Sequence, residues 1–470
     1  MVWTIALKEI RENLLSLRFI LLLLLAVIFI PSSLYTNYRA YLSRLGDERQ
    51  IVRTNNEYLR KLRATQIFTT SNFTVDVYWP PVPTSIYGTG FESTHPRHLL
   101  VGKNSVEFGA PLDVQASSGL FGSIDYLFVV QFIFSLFAIL LSFDAITREK
   151  EQGTLRTILS NPIGRAKLAS GKLLGGYITL ALPLITSFLA GLLILAFAGL
   201  NVFDGDFLSR TGWIIASSLL FIAVFFLLGL LVSSLVTSTY SALVLSLAFW
   251  LMAVMVLPRA ASLAAQLWRP VKSQQVAWLE KVTVQNSIEL EKGRALQEAE
   301  TKSSVVDKEG KRVAGPNWQK ERDEIAAPYE ERMARAISGI EEDYRRRKEN
   351  QQRLGRTVAR LSPAGAFTSF ITEMAGTGTR AQDLFVAEAD RYRETLQREV
   401  FSKIVRDVYP NGGVSMGMRG PINIANLPEF RLPRENAGSS LQGSDLAILL
   451  MWFLVAAGLT YGALARYDVR

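Results

Sequence analysis

The chain has 470 residues, 49% of them hydrophobic and 20% charged, with a formal net charge of +9. Its 26 Phe, 15 Tyr and 8 Trp exclude a disordered chain, which is poor in such residues. The absence of cysteine excludes a disulfide framework, a zinc finger, an iron–sulfur site and a cysteine nucleophile. Mean hydropathy is positive, at +0.19, and the apolar residues are bunched rather than spread.

Residues 1–16 read as an interfacial elbow helix. Trp3, Leu7, Ile10 and Leu14 recur at helical spacing on one face, and Lys8, Glu9, Arg11, Glu12 and Asn13 take the other. The uncharged runs come next. A bilayer core of about 30 Å takes roughly 20 apolar residues in a helix. Residues 19–38, 126–143, 173–203 and 446–465 are such runs, and 213–258 is long enough for two. Its middle holds Ser233, Ser234, Thr237, Ser238 and Thr239, which mark a turn. The expected spans are 17–38, 125–143, 173–203, 212–233, 239–258 and 445–466. A signal peptide is the competing reading of the first run. Pro31-Ser32-Ser33 makes no small-x-small cleavage site, and the apolar run continues past signal-peptide length. The expected fold is therefore an all-α polytopic membrane protein with six transmembrane helices. A mostly helical exoplasmic domain with a small strand and loop portion completes it.

Lys and Arg in short flanking segments set orientation. Lys8, Arg11 and Arg18, then Arg148, Lys150, Arg156, Arg165, Lys167 and Lys172 in 144–172, and Arg466 and Arg470 at the end, all fall on one side. The short loop on the other side holds Arg210 alone. Both termini, including the tail 467–470, are thus expected in the cytoplasm. The inserts 39–124 and 259–444 are expected outside a plasma membrane, the inner membrane of a bacterium. No ionisable residue falls within the core of a span, which argues against a proton-coupled pump or an ion channel.

In the first insert the spacing predicts a helical continuation over 38–63 and a strand at 74–79. Pro80, Pro81 and Pro83 follow, where a helix cannot run. The second insert has helical stripes at Ile325, Tyr329, Met333, Ile337, Ile340 and Tyr344, and at Phe385, Ala389, Tyr392, Leu396, Val400 and Ile404. A weaker stripe covers 276–300. These predict a small helical bundle or hairpin, with 301–317 as a polar loop. Ser362 and Pro363 predict the cap and first turn of a short apolar helix lying on the outer membrane face. Residues 410–433 read as an extended return path. Arg345-Arg346-Arg347-Lys348 follows Glu341, Glu342 and Asp343 and reads as a solvated face. No helix-turn-helix, RNP or zinc pattern points to nucleic acid.

Ala166-Lys167-Leu168-Ala169-Ser170-Gly171-Lys172-Leu173 imitates a phosphate loop but fails twice. Ala166 stands where the first glycine is needed and Leu173 where magnesium needs Ser or Thr. His95 and His98, and Met416 and Met418, are too few for a metal centre. No catalytic, cofactor or metal site is expected in this chain.

The informative segment is Phe143-Asp144-Ala145-Ile146-Thr147-Arg148-Glu149-Lys150-Glu151-Gln152-Gly153-Thr154-Leu155, continuing through Ile158 and Leu159 to Asn161-Pro162. Charge clusters up to Gly153. Leu155, Ile158 and Leu159 then share one face, and Pro162 ends the segment. An apolar spot ringed by charge, held between two spans, suits docking into a groove on a cytoplasmic partner. Arg148-Glu149-x-Glu151-x-Gly153-Thr154-Leu155 with Pro162 resembles the coupling segment of ABC-2-type permeases, the membrane subunits of ABC transporters. The order of elements is similar across nearly the whole chain. Pro80-Pro81-Val82-Pro83-Thr84-Ser85-Ile86 and Leu361-Ser362-Pro363-Ala364 are similar to a branch with large exterior inserts, often labelled multicopper-enzyme-maturation permeases. The copper label has no counterpart in a chain with no cysteine and two histidines.

The resemblance implies a subunit that pairs with a second copy or a paralogue. Two separate ATPase subunits, which carry ATP and magnesium, would dock on Arg148, Glu149, Glu151, Gly153, Thr154, Leu155, Ile158, Leu159 and Pro162. Membrane lipid surrounds the spans, and the exterior inserts leave room for a partner protein there. Export of an unidentified cargo is the first reading. Movement of the exterior domain without transport, mechanotransmission, is the second.

Overall fold

The computed structural model describes residues 2–61, 74–90, 98–102, 106–108, 124–154, 164–303, 305–306, 312–313, 317–401, 428–433, 436–441 and 443–466. The chain begins with α1 (Val2–Leu14) and α2 (Leu17–Lys61). A three-stranded sheet follows, of β1 (Thr74–Tyr78), β2 (His98–Gly102) and β3 (Val106–Phe108). The helix α3, residues 126–142, contains a π-helical stretch, Val129–Phe134. Next come the short α4 (Thr147–Glu151), α5 (Arg165–Phe197), α6 (Gly205–Leu235) and α7 (Thr239–Trp268). A second π-helical stretch, Met252–Val256, interrupts α7.

Beyond these lie α8 (Gln274–Ser303), the paired β4 (Val305–Val306) and β5 (Arg312–Val313), and α9 (Trp318–Ala359). The chain then forms α10 (Pro363–Ala375), α11 (Thr379–Leu396), α12 (Ala437–Ser440) and α13 (Gly443–Arg466). Six helices are long and apolar enough to cross a membrane: α2, the helix that begins at Tyr126, α5, α6, α7 and α13. The long uncharged run is broken at 236–238. There the polar cluster lets the backbone leave the helix and turn back.

The helix α6 is the axis of the bundle. Phe221, Phe225 and Phe226 are buried on it, and α3, α5, α7, α10 and α13 all pack against it. Small residues set the approach distances. A Cβ on Gly176 of α5 would fall 2.0 Å from Cζ of Phe226, and one on Gly229 of α6 would fall 1.9 Å from Oγ of Ser142. These glycines let two backbones close where any side chain would hold them apart.

The helix α10 is not a surface helix, contrary to the expectation from its short apolar run. Ser362 caps it, accepting from the Gly365 N–H at 2.9 Å, and Gly376 ends it in the left-handed conformation. Phe367, Phe370, Ile371 and Met374 are all buried. The Phe367 ring stacks on Phe221 at 4.2 Å, and Thr368 donates to Gln131 of α3 at 2.8 Å. Both π-helical stretches pack on α10. The helix was misplaced because its length suits an interfacial position. A slot walled by α3, α6, α7 and α13 buries all its faces instead.

The stretch that follows Pro80, Pro81 and Pro83 and the C-terminal end of α10, far apart in sequence, meet here. Thr84 donates to the Ala375 carbonyl at 3.0 Å, and Thr377 donates to the Gly88 carbonyl at 2.8 Å. Arg210 of α6, buried beside Asp206 at 2.7 Å, donates to the Met374 carbonyl at 3.0 Å.

The helices α8 and α9 form the expected hairpin, but the stripe of α11 does not join them. Phe385, Ala389, Tyr392 and Leu396 pack on Val75, Val77, Leu99 and Val101 of the sheet and on Trp79 just beyond β1, so the two inserts share one core. A side-chain period shows which face is apolar and leaves open what that face meets. The stretch read as a polar loop contains the β4–β5 hairpin. His98 is buried in the sheet, stacked on Tyr78 at 5.6 Å, and burial pushes its pKa down against the opposing pull of Asp76. Its suggested metal partner His95, and Met416 and Met418, lie outside the described residues. Among the described residues no cluster of three His, Asp or Glu side chains is placed to hold a metal ion.

Gly176→Ala should lower the melting temperature of the detergent-purified chain, at a cost of about 1–3 kcal/mol for overpacking. Gly212→Ala, where a Cβ meets nothing within 4 Å, should leave it unchanged or raise it, since alanine is the better helix former.

Candidate coupling site

The site lies at the end of the bundle where α1 begins and α13 ends. After α3 the chain makes a turn at 143–146 and then the single-turn helix α4. Side chains of this loop reach nearly every helix end around it.

The turn between α6 and α7 is held first. Ser233 of α6 accepts from the N–H groups of Ile146 and Thr147, each at 3.0 Å. Those are donors that the start of a helix leaves unsatisfied. The Lys150 ammonium donates to the carbonyls of Ser234 at 2.5 Å and Val236 at 3.0 Å. It thus sits on the open carbonyls at the end of α6, where the helix dipole favours a cation. Glu151 does the converse. Its carboxylate accepts from the Thr239 N–H and from the Thr239 hydroxyl, each at 2.7 Å, so an anion caps the first turn of α7. Two adjacent residues of opposite charge therefore fix the two ends of one turn.

The same short helix reaches α5 and α1. Lys172 of α5 is 3% exposed and lies 2.8 Å from both Glu9 of α1 and Glu149 of α4. The second oxygen of Glu149 is buried without a hydrogen-bond partner. Arg148 lies 3.6 Å from Glu12 of α1. The helix α1 is set close to α5 by glycines: a Cβ on Gly171 would fall 2.7 Å from Ile5, and one on Gly175 would fall 2.6 Å from Cβ of Glu9. Arg18, at the start of α2, donates to the Leu140 carbonyl at 2.7 Å, pairs with Asp144 at 3.1 Å and lies over the Phe143 ring. Arg165 of α5 donates to the Ala465 carbonyl of α13.

Of the residues singled out in the sequence, Arg148, Glu149 and Glu151 are thus engaged within the chain. Gly153 has φ +71°, a left-handed turn that directs the backbone out of α4. Thr154 follows it, exposed, and donates to the Glu149 carbonyl at 3.3 Å. Leu155, Ile158, Leu159 and Pro162 lie outside the described residues. The imitation phosphate loop is part of α5, with its lysine committed to Glu9 and Glu149. Glu9, Arg18, Asp144, Lys172 and Ser233 were not recognised as members of the site. Their signal was present: Arg18, Asp144 and Lys172 each border an uncharged run, where charge was read as marking orientation alone.

Six candidate spans, with a charged junction that ties their ends together, define a multi-pass membrane protein. Residues 3–469 match the family described as ABC-2 family transporter protein, and the chain belongs to that family. It is also similar to two proteins named probable ABC transporter permease protein NosY. One, from Pseudomonas aeruginosa, is 39% identical over 120 residues, 25% of this chain and 43% of that protein. The other, from Stutzerimonas stutzeri, is 34% identical over 125 residues, 27% of this chain and 45% of that protein. The chain spans less than half the length of these curated relatives.

Removing one member of a buried ion cluster leaves uncompensated charge, at a cost of about 3–5 kcal/mol. Lys172→Ala should therefore lower the unfolding temperature in detergent sharply. The triple variant Lys172→Met, Glu9→Gln, Glu149→Gln, which leaves no charge in the cluster, should recover most of the loss in the same assay.

Proposed function

We propose that this chain is the permease subunit of an ABC transporter, worked by separate ATPase subunits that dock on residues 147–162. The observation that carries the proposal is the attachment of α4 to α1, α5, α6 and α7. A force applied at this loop reaches many membrane helices at once. The apolar face of Leu155, Ile158 and Leu159 meets the ATPase. Glu149, Lys150 and Glu151 transmit, holding α4 to the helix ends. ATP and magnesium are handled by the partner. Two permease chains pair, each with one ATPase, in the inner membrane of a bacterium. Both termini and α4 lie in the cytoplasm, in keeping with the Lys and Arg excess at that end.

The work done is export of a lipidic, peptidic or glycan-like cargo. The junction of α10 with residues 83–90 then closes the outer end and parts during each cycle. A second reading, force transmission without transport, has an observation of its own. Arg360, at the end of α9, pairs with Asp445 at the head of α13 at 2.9 Å, and Trp452 of α13 donates to the Leu361 carbonyl at 3.0 Å. A tilt of α13 therefore carries α9 and the exterior hairpin with it.

Ile158→Asp should lower co-purification of the ATPase by about tenfold, the scale of a lost interface anchor worth 1–2 kcal/mol, with the unfolding temperature unchanged. Glu149→Lys should lower both. Unchanged co-purification for Ile158→Asp would remove the docking assignment.

A further inference from the structure

The helix α8 has two faces of different chemistry. Ile288 is buried, at 3% exposure, against α9, and on the same side Lys281 pairs with Glu341 of α9. Lys281, Ile288 and Ala295 recur every seven residues along this inner line. The opposite line is Val276, Leu279, Thr283, Asn286, Leu290 and Gly293, alternately three and four residues apart and all exposed. Val276, Leu279 and Leu290 are 49, 59 and 65% exposed. Every charged residue of α8 falls off this line; exposed Trp278 lies beside it. An uncharged line at alternating spacings of three and four has the spacing of the a and d positions of a coiled coil, with Val276, Leu279 and Leu290 as its apolar members.

Lipid does not cover this seam. The preceding helix α7 has 30 residues, about 45 Å at 1.5 Å per residue, which already exceeds a hydrocarbon core of about 30 Å. The seam begins beyond its end.

We propose that the outer face of α8 pairs in parallel with the same face of a second copy of this chain, forming a two-stranded stalk outside the membrane. The charges select this occupant. With Val276 at a, Glu289 falls at g and Arg294 at e of the following heptad, the two positions that meet across a parallel pair. Each copy's Glu289 then faces the other copy's Arg294, and the twofold axis forms the contact twice. Within the chain Glu289 pairs with Lys292 of its own helix at 2.9 Å, an i,i+3 pair of small worth. Thr283 at a and Asn286 at d are polar residues of the kind that fix register in such seams. Leu263 and Leu267, exposed on α7, extend the apolar surface toward the membrane. The inference rests on the reading that two permease chains pair, and adds that they meet outside the bilayer.

The chain has no cysteine, so single introduced thiols report without background. Full-length Leu279→Cys, Asn286→Cys and Ser338→Cys variants are oxidised in membrane vesicles. Ser338 is an exposed control on α9. Disulfide-linked dimer should form at positions 279 and 286 about tenfold more than at 338, because fixed proximity raises effective concentration above that of chance collision. Native mass spectrometry of the detergent-purified chain counts the copies. Two copies without selective cross-linking would overturn the stalk and leave the pairing intact. A single copy would overturn both, and a cross-link at 279 or 286 to a different protein would overturn this assignment of the face.

Discussion

A lysine ammonium shared between two carboxylates at the end of a membrane helix holds the α1, α4 and α5 junction together. Lys172 would be costly to bury alone, and so would Glu9 and Glu149. Together they make a strong contact in which each needs the others, and the three lie on different helices. The glycines at 171 and 175 bring α1 close enough for Glu9 to reach. Lys150 and Glu151 repeat the logic with helix dipoles, a cation on the carbonyls of α6 and an anion on the N–H groups of α7. The loop is therefore a fixture of the bundle from 146 to 151.

The opposite end is built differently. There most of the contacts are neutral: the stacked rings of Phe221 and Phe367, the Thr84 and Thr377 hydroxyls on backbone carbonyls, and the buried α10. Two ion pairs join them, Arg210 with Asp206 at 2.7 Å and Arg360 with the buried Asp445 at 2.9 Å.

The spans were legible because hydrocarbon imposes a long uncharged run that soluble helices seldom match. The α6–α7 break was legible from its polar cluster, and β1 from its alternation ahead of prolines. The loop 147–162 drew attention through its charge pattern and its family likeness. What the sequence did not reveal is which partner each side chain meets. Glu149 and Glu151 read as charge offered to a docking partner because their partners within the chain, Lys172 and Thr239, are distant in sequence or belong to another helix. The stripe of α11 was clear, but its complement lay on strands from the other insert. The helix α10 was misplaced because burial on every side is a property of the slot around it.

Held by Lys150 and Glu151, α4 and the α6–α7 turn should move as one body when an ATPase acts on them. Spin labels at Thr154 and Ser241, in a complex of this chain with its ATPase, report the distance across that junction by pulsed electron resonance. The expected result is the same narrow distance distribution in the nucleotide-free and ATP-trapped complex. A distribution that shifts or broadens on ATP trapping would show α4 sliding over the turn, and the two would not be one body.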